Sequence, residues 1–590
     1  MEVFKRDDLL AAVHSGIERH GAGPPSALQV CQFVQARLSC VPAAAVPVIA
    51  HALGTTTGHI VSLVSFYSFL HESPRGKYDI YLSDNITDRM LGGRTVRDEL
   101  CLDLGVALSE PRLDGRVTVA TTSCTGFCDQ GPAGLVNGRP LTRLDRARVK
   151  HIVQLVEESQ PLDQWPQEYF AVQSNIRRRD KLLSTPLSQC AALSSLAESS
   201  ADRVLEQLER GDLTGRGGAG FPTAAKWRLC RDAPGDARYV VCNADEAEPG
   251  TFKDRVLLTE YADDVIEGMT LCALIVGAHK GFIYLRGEYA FLLPHLEWVL
   301  QRRRGDNLLG ESIVGHSDWQ FDIEIHLGAG AYICGEESAL IESLEGKRGV
   351  PRSRPPYPVT HGYLGQPTVV NNVETLLAAA HIAARGGDWF GAGTKLHSVS
   401  GDCEFPGIYE FPVGCTVADI IDAAGGNGAQ AVQVAGAAGH LLLADEFATP
   451  IDLKNLTTSG SFMIFGPQRE LFDATANFAH FFARETCGFC APCRTGTQLA
   501  KSVVNRMVHG SAFGRDREAI DRLVNVTPVM SHCGLGGSAL NALRDLRDKC
   551  PEYYQGLFSE KEDDVLHFDL ELELSEINSI TGQAGVRTDD

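Results

Sequence analysis

Apolar residues recur every three to four positions in LQVCQFVQARLSCV and AAVPVIAHAL, and the threonine-rich GTTTGHIVSLVSFYSFL supplies a cap for a further such stretch. Residues 1–72 therefore read as a helical bundle. From Lys77 the period shortens. KYDIYLSDN, GRVTVATTSC and AGLVNGRPL read as short strands around the helical TVRDELCLDLG, a small α/β unit over residues 73–160. The stretch EESQPLDQWPQEYFAVQSNIRRRDKLLSTPLSQC mixes proline and charge with little periodicity, and residues 161–190 read as a linker. An α/β core follows over 191–390, with helices at ADRVLEQLER and DDVIEGMTLCALIVGA, strands at RYVVCNA, GFIYLRG and FDIEIHLG, and glycine-rich loops between them. HSVSGDCEFPGIYEFPVGCTVADIIDAAGG gives strand, turn, strand and helix, which suggests a ubiquitin-like unit over 391–475. Residues 476–560 are helical and cysteine-bearing, and 561–590 form an acidic tail. No repeat of 20 to 50 residues is present.

At 590 residues the chain exceeds what one core organises. No apolar run is long enough to span a bilayer, and MEVFKRDDLLAAVHSGIERH opens directly as an amphipathic helix, so a cytoplasmic location is expected. A net charge of -21 disfavours nucleic acid and anionic membranes as partners, because Lys and Arg carry affinity for phosphate. Other proteins are the expected partners. Seventeen cysteines in a chain of this size point to buried thiols plus some metal or cluster ligands.

TGRGGAGFPTAAKW spells G-x-G-x-x-G through Gly215, Gly217 and Gly220. A dinucleotide fingerprint needs a strand before it and a helix opening inside it. Here the helical ADRVLEQLERGDL precedes it and Pro222 follows, so this is not a Rossmann turn. The loop still exposes backbone N–H groups to a flat or anionic ligand; Thr223 is placed to cap the next helix, with Lys226 one turn in as a point charge for a phosphate. A purely structural glycine turn is the competing reading. CNADEAEPGTFKDR gathers Asn243, Asp245, Glu246 and Glu248, and GAGAYICGEESALIESLEGKRGVPRSRPP adds Tyr332, Glu336 and Glu337. Clustered acids suit a solvated loop, or carboxylates accepting hydrogen bonds from ribityl or ribose hydroxyls, with phosphates left to Lys226, backbone amides, Asn371 and Asn372.

ETCGFCAPCRTGT gives C-x2-C-x2-C at Cys487, Cys490 and Cys493, with Cys533 in SHCGLGG as a remote fourth. Three thiolates at this spacing wrap one corner of an iron–sulfur cube and the fourth closes it. Zinc, which also takes four thiolates, is the alternative.

GRGGAGFPTAAKW, NADEAEPGTFKDR, YICGEESAL, PTVVNNVET and CGFCAPCR, in this order over roughly 190–560, resemble the NADH-binding flavoprotein subunit of respiratory complex I and its relatives. The resemblance implies a non-Rossmann fold for FMN and NADH. It places Gly215, Arg216, Gly217, Gly218, Lys226, Asn243, Asp245, Glu246, Tyr332, Gly335, Glu336, Asn371, Asn372 and Thr375 around FMN. Phe221, Glu248 and Glu337 would meet NAD(H), together with Arg354 and Tyr357, which stand where the family often has Lys and Phe. Cys487, Cys490, Cys493 and Cys533 would hold one four-iron four-sulfur cluster. The first 160 residues resemble the thioredoxin-like two-iron two-sulfur partner of that flavoprotein, fused in front, through VSFYSFLHESPRGK and SCTGFCDQGPAGLVNG. Of its two cysteine pairs only Cys124 and Cys128 stand here; Ser83 and Asp88 occupy the other region, with Cys101 nearby. The expectation is a domain that docks and has lost its cluster.

The implied fold class is multidomain α/β: an N-terminal helical and thioredoxin-like part, a non-Rossmann FMN/NADH-binding α/β domain, a ubiquitin-like domain and a C-terminal helical bundle with the cluster. The fusion looks most like the diaphorase flavoprotein subunit of cytoplasmic NAD-reducing nickel–iron hydrogenases, with NAD-dependent formate dehydrogenase and complex I flavoproteins as alternatives and a non-catalytic scaffold as the non-enzyme one. The resemblance implies hydride exchange between NAD(H) and FMN and single-electron transfer through the cluster to an iron–sulfur subunit and hydrogenase subunits of a hetero-oligomeric complex. Such chemistry needs no protein acid, base or nucleophile, so no catalytic residue is named. The ubiquitin-like unit and the tail are expected to be docking surfaces.

Overall fold

The computed structural model describes residues 4–559; the expected acidic tail lies outside the described residues. Helices Arg6–His20, Ala27–Leu38, Val46–Ala52 and Thr57–Phe66 form the N-terminal layer, and the Thr56 hydroxyl caps the last by accepting the His59 N–H. This layer does not close on itself. Leu28, Ile49 and Leu63 share one core with Leu340 and Leu344 of the central unit and Phe478 and Met507 of the C-terminal helices. Buried Tyr67 pins the contact, donating its hydroxyl to Ser343 Oγ at 2.7 Å.

Strands β1 (Tyr78–Ser83), β2 (Val117–Thr122), β3 (Gly134–Val136) and β4 (Arg139–Leu141) form a sheet of order β2-β1-β3-β4, parallel only between β1 and β2. Helices Gly93–Leu104 and Arg146–Glu157 seal it around Ile80, Val119, Leu100 and Ile152.

β5 (Ile176–Arg178) lies in the segment expected to be a linker, and corrects that expectation. It pairs in parallel with a strand some 230 residues on, and Glu410 of that strand accepts the N–H groups of Asp180, Leu182 and Leu183 at 2.8, 2.6 and 2.9 Å. Three residues with two arginines give no strand signal in the sequence; the partner strand supplies the pairing.

β6 (Tyr239–Ala244), β7 (Lys280–Leu285), β8 (Asp322–Leu327) and β9 (Thr368–Asn372) form a wholly parallel sheet of order β8-β7-β6-β9. β6 and β7 are apolar on both faces, as strands covered on both sides must be. Helices Ala262–Val276 and Val373–Arg385 pack at Gly268, where a Cβ would stand 2.0 Å from the Leu376 carbonyl oxygen. Only glycine permits that crossing.

β10 (Thr394–Gly401), β11 (Gly407–Pro412), β12 (Ala431–Val434), β13 (His440–Leu443) and β14 (Ser461–Phe465) complete a mixed sheet of order β13-β12-β14-β10-β11-β5, with helix Val417–Ala423 on it. Helices Leu471–Glu485, Ala491–Val508, Gly514–Met530 and Asn541–Lys549 close the C-terminal part. Among the described residues no single helix is long and apolar enough to cross a membrane.

Candidate cofactor cavity and cysteine cluster

The carboxyl ends of β6, β8 and β9 open onto one cavity of about 500 Å3, the usual place for a ligand in an open parallel sheet. The glycine loop forms one wall. It leaves helix Ala201–Arg210 and closes on itself through Gly215 N–H to the Phe221 carbonyl at 2.9 Å, so it follows a helix and not a strand. Gly218 has φ +118°, and a Cβ at Gly217 would press on Asn372 Cβ at 3.3 Å. The bare backbone is what lets a planar ligand approach. Pro222, not Thr223, is the N-cap of helix Thr223–Asp232, and the Thr223 hydroxyl is buried without a partner, which corrects the expected cap.

Of the residues expected at FMN, Gly217, Gly218, Asn243, Asp245, Glu246, Tyr332, Gly335, Glu336 and Asn372 line this cavity. Gly215, Arg216, Lys226, Asn371 and Thr375 do not. Arg216 donates its backbone N–H to Thr375 Oγ1 at 2.9 Å, and its buried guanidinium lies 6.0 Å from the Phe390 ring. Asn371 accepts from buried Trp227 Nε1 at 2.8 Å. Of the residues expected at NAD(H), Glu248 lines the cavity; Phe221 is half exposed outside it, and Glu337 pairs with Lys226 Nζ at 2.7 Å. Arg354 and Tyr357 line a neighbouring cavity of about 530 Å3 with Arg352, Ser353 and His532.

The acids are not free acceptors in equal measure. Glu246 already accepts the N–H of Asp254 and Arg255 and the Tyr289 hydroxyl, at 2.7, 3.1 and 2.9 Å. Glu248 accepts the Tyr332 hydroxyl at 2.6 Å and the Ala438 N–H at 3.0 Å. Burial pushes the Glu248 carboxyl up to about 7, opposed by those two donors, and raises Asp245 well above its usual range. Asp245 Oδ2 and Thr251 Oγ1 are buried at this wall with no hydrogen-bond partner, and Glu336 Oε1 faces only the Arg354 guanidinium, at 3.4 Å. Unsatisfied oxygens beside a bare glycine loop fit a hydroxyl-rich, donor-bearing ligand, as FMN is.

Sequence reasoning passed over Lys253, Asp254, Thr457, Thr458 and Ser459, all of which line the cavity. Lys253 Nζ is buried between Asp254, Glu374 and Asn372, at 2.7, 3.0 and 3.2 Å. The signal was a Lys-Asp pair heading a helix otherwise packed in the core. The Thr457–Ser459 strap belongs to the unit read as ubiquitin-like, which thus supplies a wall here in addition to any docking role.

Cys487, Cys490, Cys493 and Cys533 surround a small pocket with Ile333, Pro351, Thr486, Phe489, His532 and Leu535. Cys490 is the N-cap residue of helix Ala491–Val508 and Cys533 that of the turn Gly534–Ser538, and the backbone N–H groups of Leu535 and Gly536 lie toward the Cys533 sulfur. Among the described residues no three His, Cys, Asp or Glu side chains converge tightly enough for a single ion. Four thiols spread around one pocket fit a cube better than tetrahedral zinc. Ile333 and Leu535 line both this pocket and the large cavity.

In the N-terminal sheet unit, Cys124 and Cys128 lie with sulfurs 3.5 Å apart, and Asn85 Nδ2 reaches both at 3.1 and 3.3 Å. The Asn85 oxygen caps helix Ile86–Met90 through Asp88 N–H, and Asp88 accepts the Ala133 N–H at 2.8 Å. Cys101 packs in the separate core below the sheet and does not join them. Asp88 Oδ2 and the Ser83 hydroxyl are buried there without a hydrogen-bond partner, but two thiols, an amide, a carboxyl and a hydroxyl do not make the four-sulfur donor set of a two-iron two-sulfur cluster.

Along nearly its whole length the chain is similar to the alpha subunit of the NAD-reducing hydrogenase HoxS of Cupriavidus necator: 38% identity over 585 residues, 95% of this chain and 96% of that one. The chain belongs to this family. The crystal structure of an NAD+-reducing [NiFe]-hydrogenase in the H2-reduced state contains a chain at 41% identity and TM-score 0.88, covering 95% of this chain and 97% of that one. One component of the NADH-quinone oxidoreductase of Aquifex aeolicus is 39% identical over 62% of this chain and 88% of its own. Three family models match in order: thioredoxin-like [2Fe-2S] ferredoxin over 13–157, the Nuo51 FMN-binding domain over 208–381, and the NADH-ubiquinone oxidoreductase-F iron–sulfur binding region over 473–556. The large cavity and the cysteine pocket are lined mostly by residues within the last two of these matches. The first match begins in the N-terminal helices, which places them with the thioredoxin-like part.

Proposed function

We propose that this chain is the NAD(H)-facing flavoprotein subunit of a hydrogenase complex, an NADH:acceptor oxidoreductase that couples NAD+ reduction to hydrogen oxidation in a partner module. The observation that carries it is the pair of cavities, one sized for a flavin and one ringed by four cysteines, with Ile333 and Leu535 as their shared wall. FMN, when bound, exchanges a hydride with the nicotinamide and releases single electrons.

The residues' work is binding and exclusion. Gly217 and Gly218 present bare backbone; Asp245 offers an unsatisfied oxygen, and Glu336 one facing only Arg354, to ribityl hydroxyls; Lys253, paired with Asp254 and Glu374, and Asn372, whose amide donates to Asp254, fix the wall beside them. Tyr332 closes the floor, its hydroxyl on Glu248, its N–H on Glu485 at 3.1 Å and its ring 4.9 Å from Phe481, so the cavity floor is tied to the helix leading into the cysteine cluster. Arg354 and Tyr357 offer a cation and an aromatic face to the adenosine half of NAD(H). Arg216, Asn371 and Thr375 act behind this layer by holding the glycine loop and helix Val373–Arg385.

The N-terminal helices with the thioredoxin-like part, followed by units at 191–390, 391–475 and 476–560, carry these roles in our reading, and the acidic charge with protein partners suits a cytoplasmic complex. The complex captured through this chain is expected to contain nickel and FMN and to reduce dyes with NADH. Molybdenum in place of nickel would reassign the partner, and absence of flavin after FMN supplementation would end the proposal.

A further inference from the structure

His532 is common to two cavities. It lines the cysteine pocket, next to Cys533, and it lines the cationic cavity of Arg352, Arg354 and Tyr357. Its ring meets exposed Phe489 edge-on at 5.2 Å, and its Nε2 lies 3.3 Å from the Pro351 carbonyl oxygen, at the start of the segment carrying both arginines. One imidazole therefore touches the arginine segment on one side and adjoins a cluster ligand on the other.

The cationic cavity has the chemistry of an adenosine diphosphate site. Arg352 is consumed by Glu342 and Glu345. Arg354 is held more loosely: its Nη1 stands 3.4 Å from Glu336 and 3.9 Å from Glu337, and a third of its side chain is exposed. Tyr357, 54% exposed, offers a ring face for a purine. Because the charge of Arg354 is already shared with two carboxylates, an arriving diphosphate adds net negative charge at the wall His532 shares with the cluster.

Resting on the nucleotide reading above, we propose that His532 couples occupancy of this cavity by the ADP-ribose half of a nicotinamide dinucleotide to the redox state of the four-cysteine cluster. The potential of an iron–sulfur cluster follows its net charge, its hydrogen bonds and its exposure to water. A diphosphate beside it disfavours the added electron, and by linkage the reduced cluster binds the nucleotide more weakly by the same factor. For electrons arriving from NADH, the coupling favours nucleotide departure once one has reached the cluster.

ADP-ribose, which lacks nicotinamide and accepts no hydride, is the probe. Redox titration of the intact flavin- and iron-loaded chain, followed by electron paramagnetic resonance, is expected to give a cluster midpoint lowered by about 40 mV at saturating ADP-ribose, equivalent to roughly fivefold weaker binding on reduction. His532→Ala at unchanged iron content is expected to lose the shift. Should the alanine variant lose iron, His532→Phe, which keeps a ring on Phe489, carries the same test. Tyr357→Ala is expected to bind ADP-ribose less tightly and to reach the full shift at saturation. Binding without a shift overturns the coupling and leaves the nucleotide reading standing; a shift that survives in both His532 variants overturns the role of His532; absence of ADP-ribose binding overturns both readings.

Discussion

Lys226 and Glu337 are one ion pair, Nζ to Oε2 at 2.7 Å, and Lys226 Nζ also donates to the Val370 carbonyl at 2.8 Å. The sequence suggested a phosphate partner for the lysine and a nucleotide partner for the acid; the fold sets them against each other between helix Thr223–Asp232 and helix Glu337–Leu344. Glu337→Gln is expected to raise KM for NADH roughly tenfold, the worth of one hydrogen bond to a charged group, while FMN stays bound. Steady-state kinetics with flavin analysis decides, and an unchanged KM removes Glu337 from the nucleotide site.

Glu248 sets a pH dependence. Its folded pKa, about 7 against a usual 4.5, means that the folded state holds the proton more tightly than the unfolded chain. The resulting stability is fully present below the unfolded value and is lost as pH rises through the folded one, by an amount on the order of 1–3 kcal/mol. Buried Glu246 is raised as well and contributes in the same direction. Glu248→Gln is expected to flatten part of the fall in melting temperature between about pH 5 and pH 8. A slope identical to the parent's would mean that Glu248 is ionised throughout.

Gly268 carries no chemistry, yet it fixes the approach of helix Val373–Arg385, whose N-cap is the cavity residue Asn372. Gly268→Ala drives a methyl into the Leu376 carbonyl and is expected to cost about 1–3 kcal/mol. FMN affinity should fall with it, since the helix start moves. Fluorescence titration of FMN and thermal denaturation test both effects, and retention of both would show that the helices separate freely.

Cys490→Ser is expected to lower iron by about four atoms per chain and to abolish single-electron delivery to the partner, while NADH still reduces a two-electron acceptor. Partner reduction that persists in the variant would place the electron path elsewhere.

The Cys124→Ser, Cys128→Ser double variant is expected to keep the iron content of the parent. A loss of about two irons would mean that the N-terminal unit holds a cluster of its own after all.

Much of the architecture was legible because it rests on local pattern. Strand-length apolar runs such as YVVCNA, the helical stretch ahead of Gly215 and the spacing of Cys487, Cys490 and Cys493 depend only on residues a few positions apart, and hydrophobic period and ligand spacing report such relations directly. The failed dinucleotide fingerprint was decided the same way, since what precedes the glycines is local. Where partners come from far along the chain, the sequence carried no such signal. β5 exists because β11 offers an edge, Cys101 belongs to the core below the N-terminal sheet, and the N-terminal helices have no core of their own. Glu246 and Glu248 look like two equivalent acids in ADEAEP, yet one is spent on Asp254, Arg255 and Tyr289 and the other on Tyr332 and Ala438. The sequence by itself determined which chemical groups the protein possesses and the secondary structure that carries most of them. Only the tertiary structure decided which of those groups face a cavity and which are consumed by one another, because a buried charge or amide takes whichever partner long-range packing brings within hydrogen-bond reach.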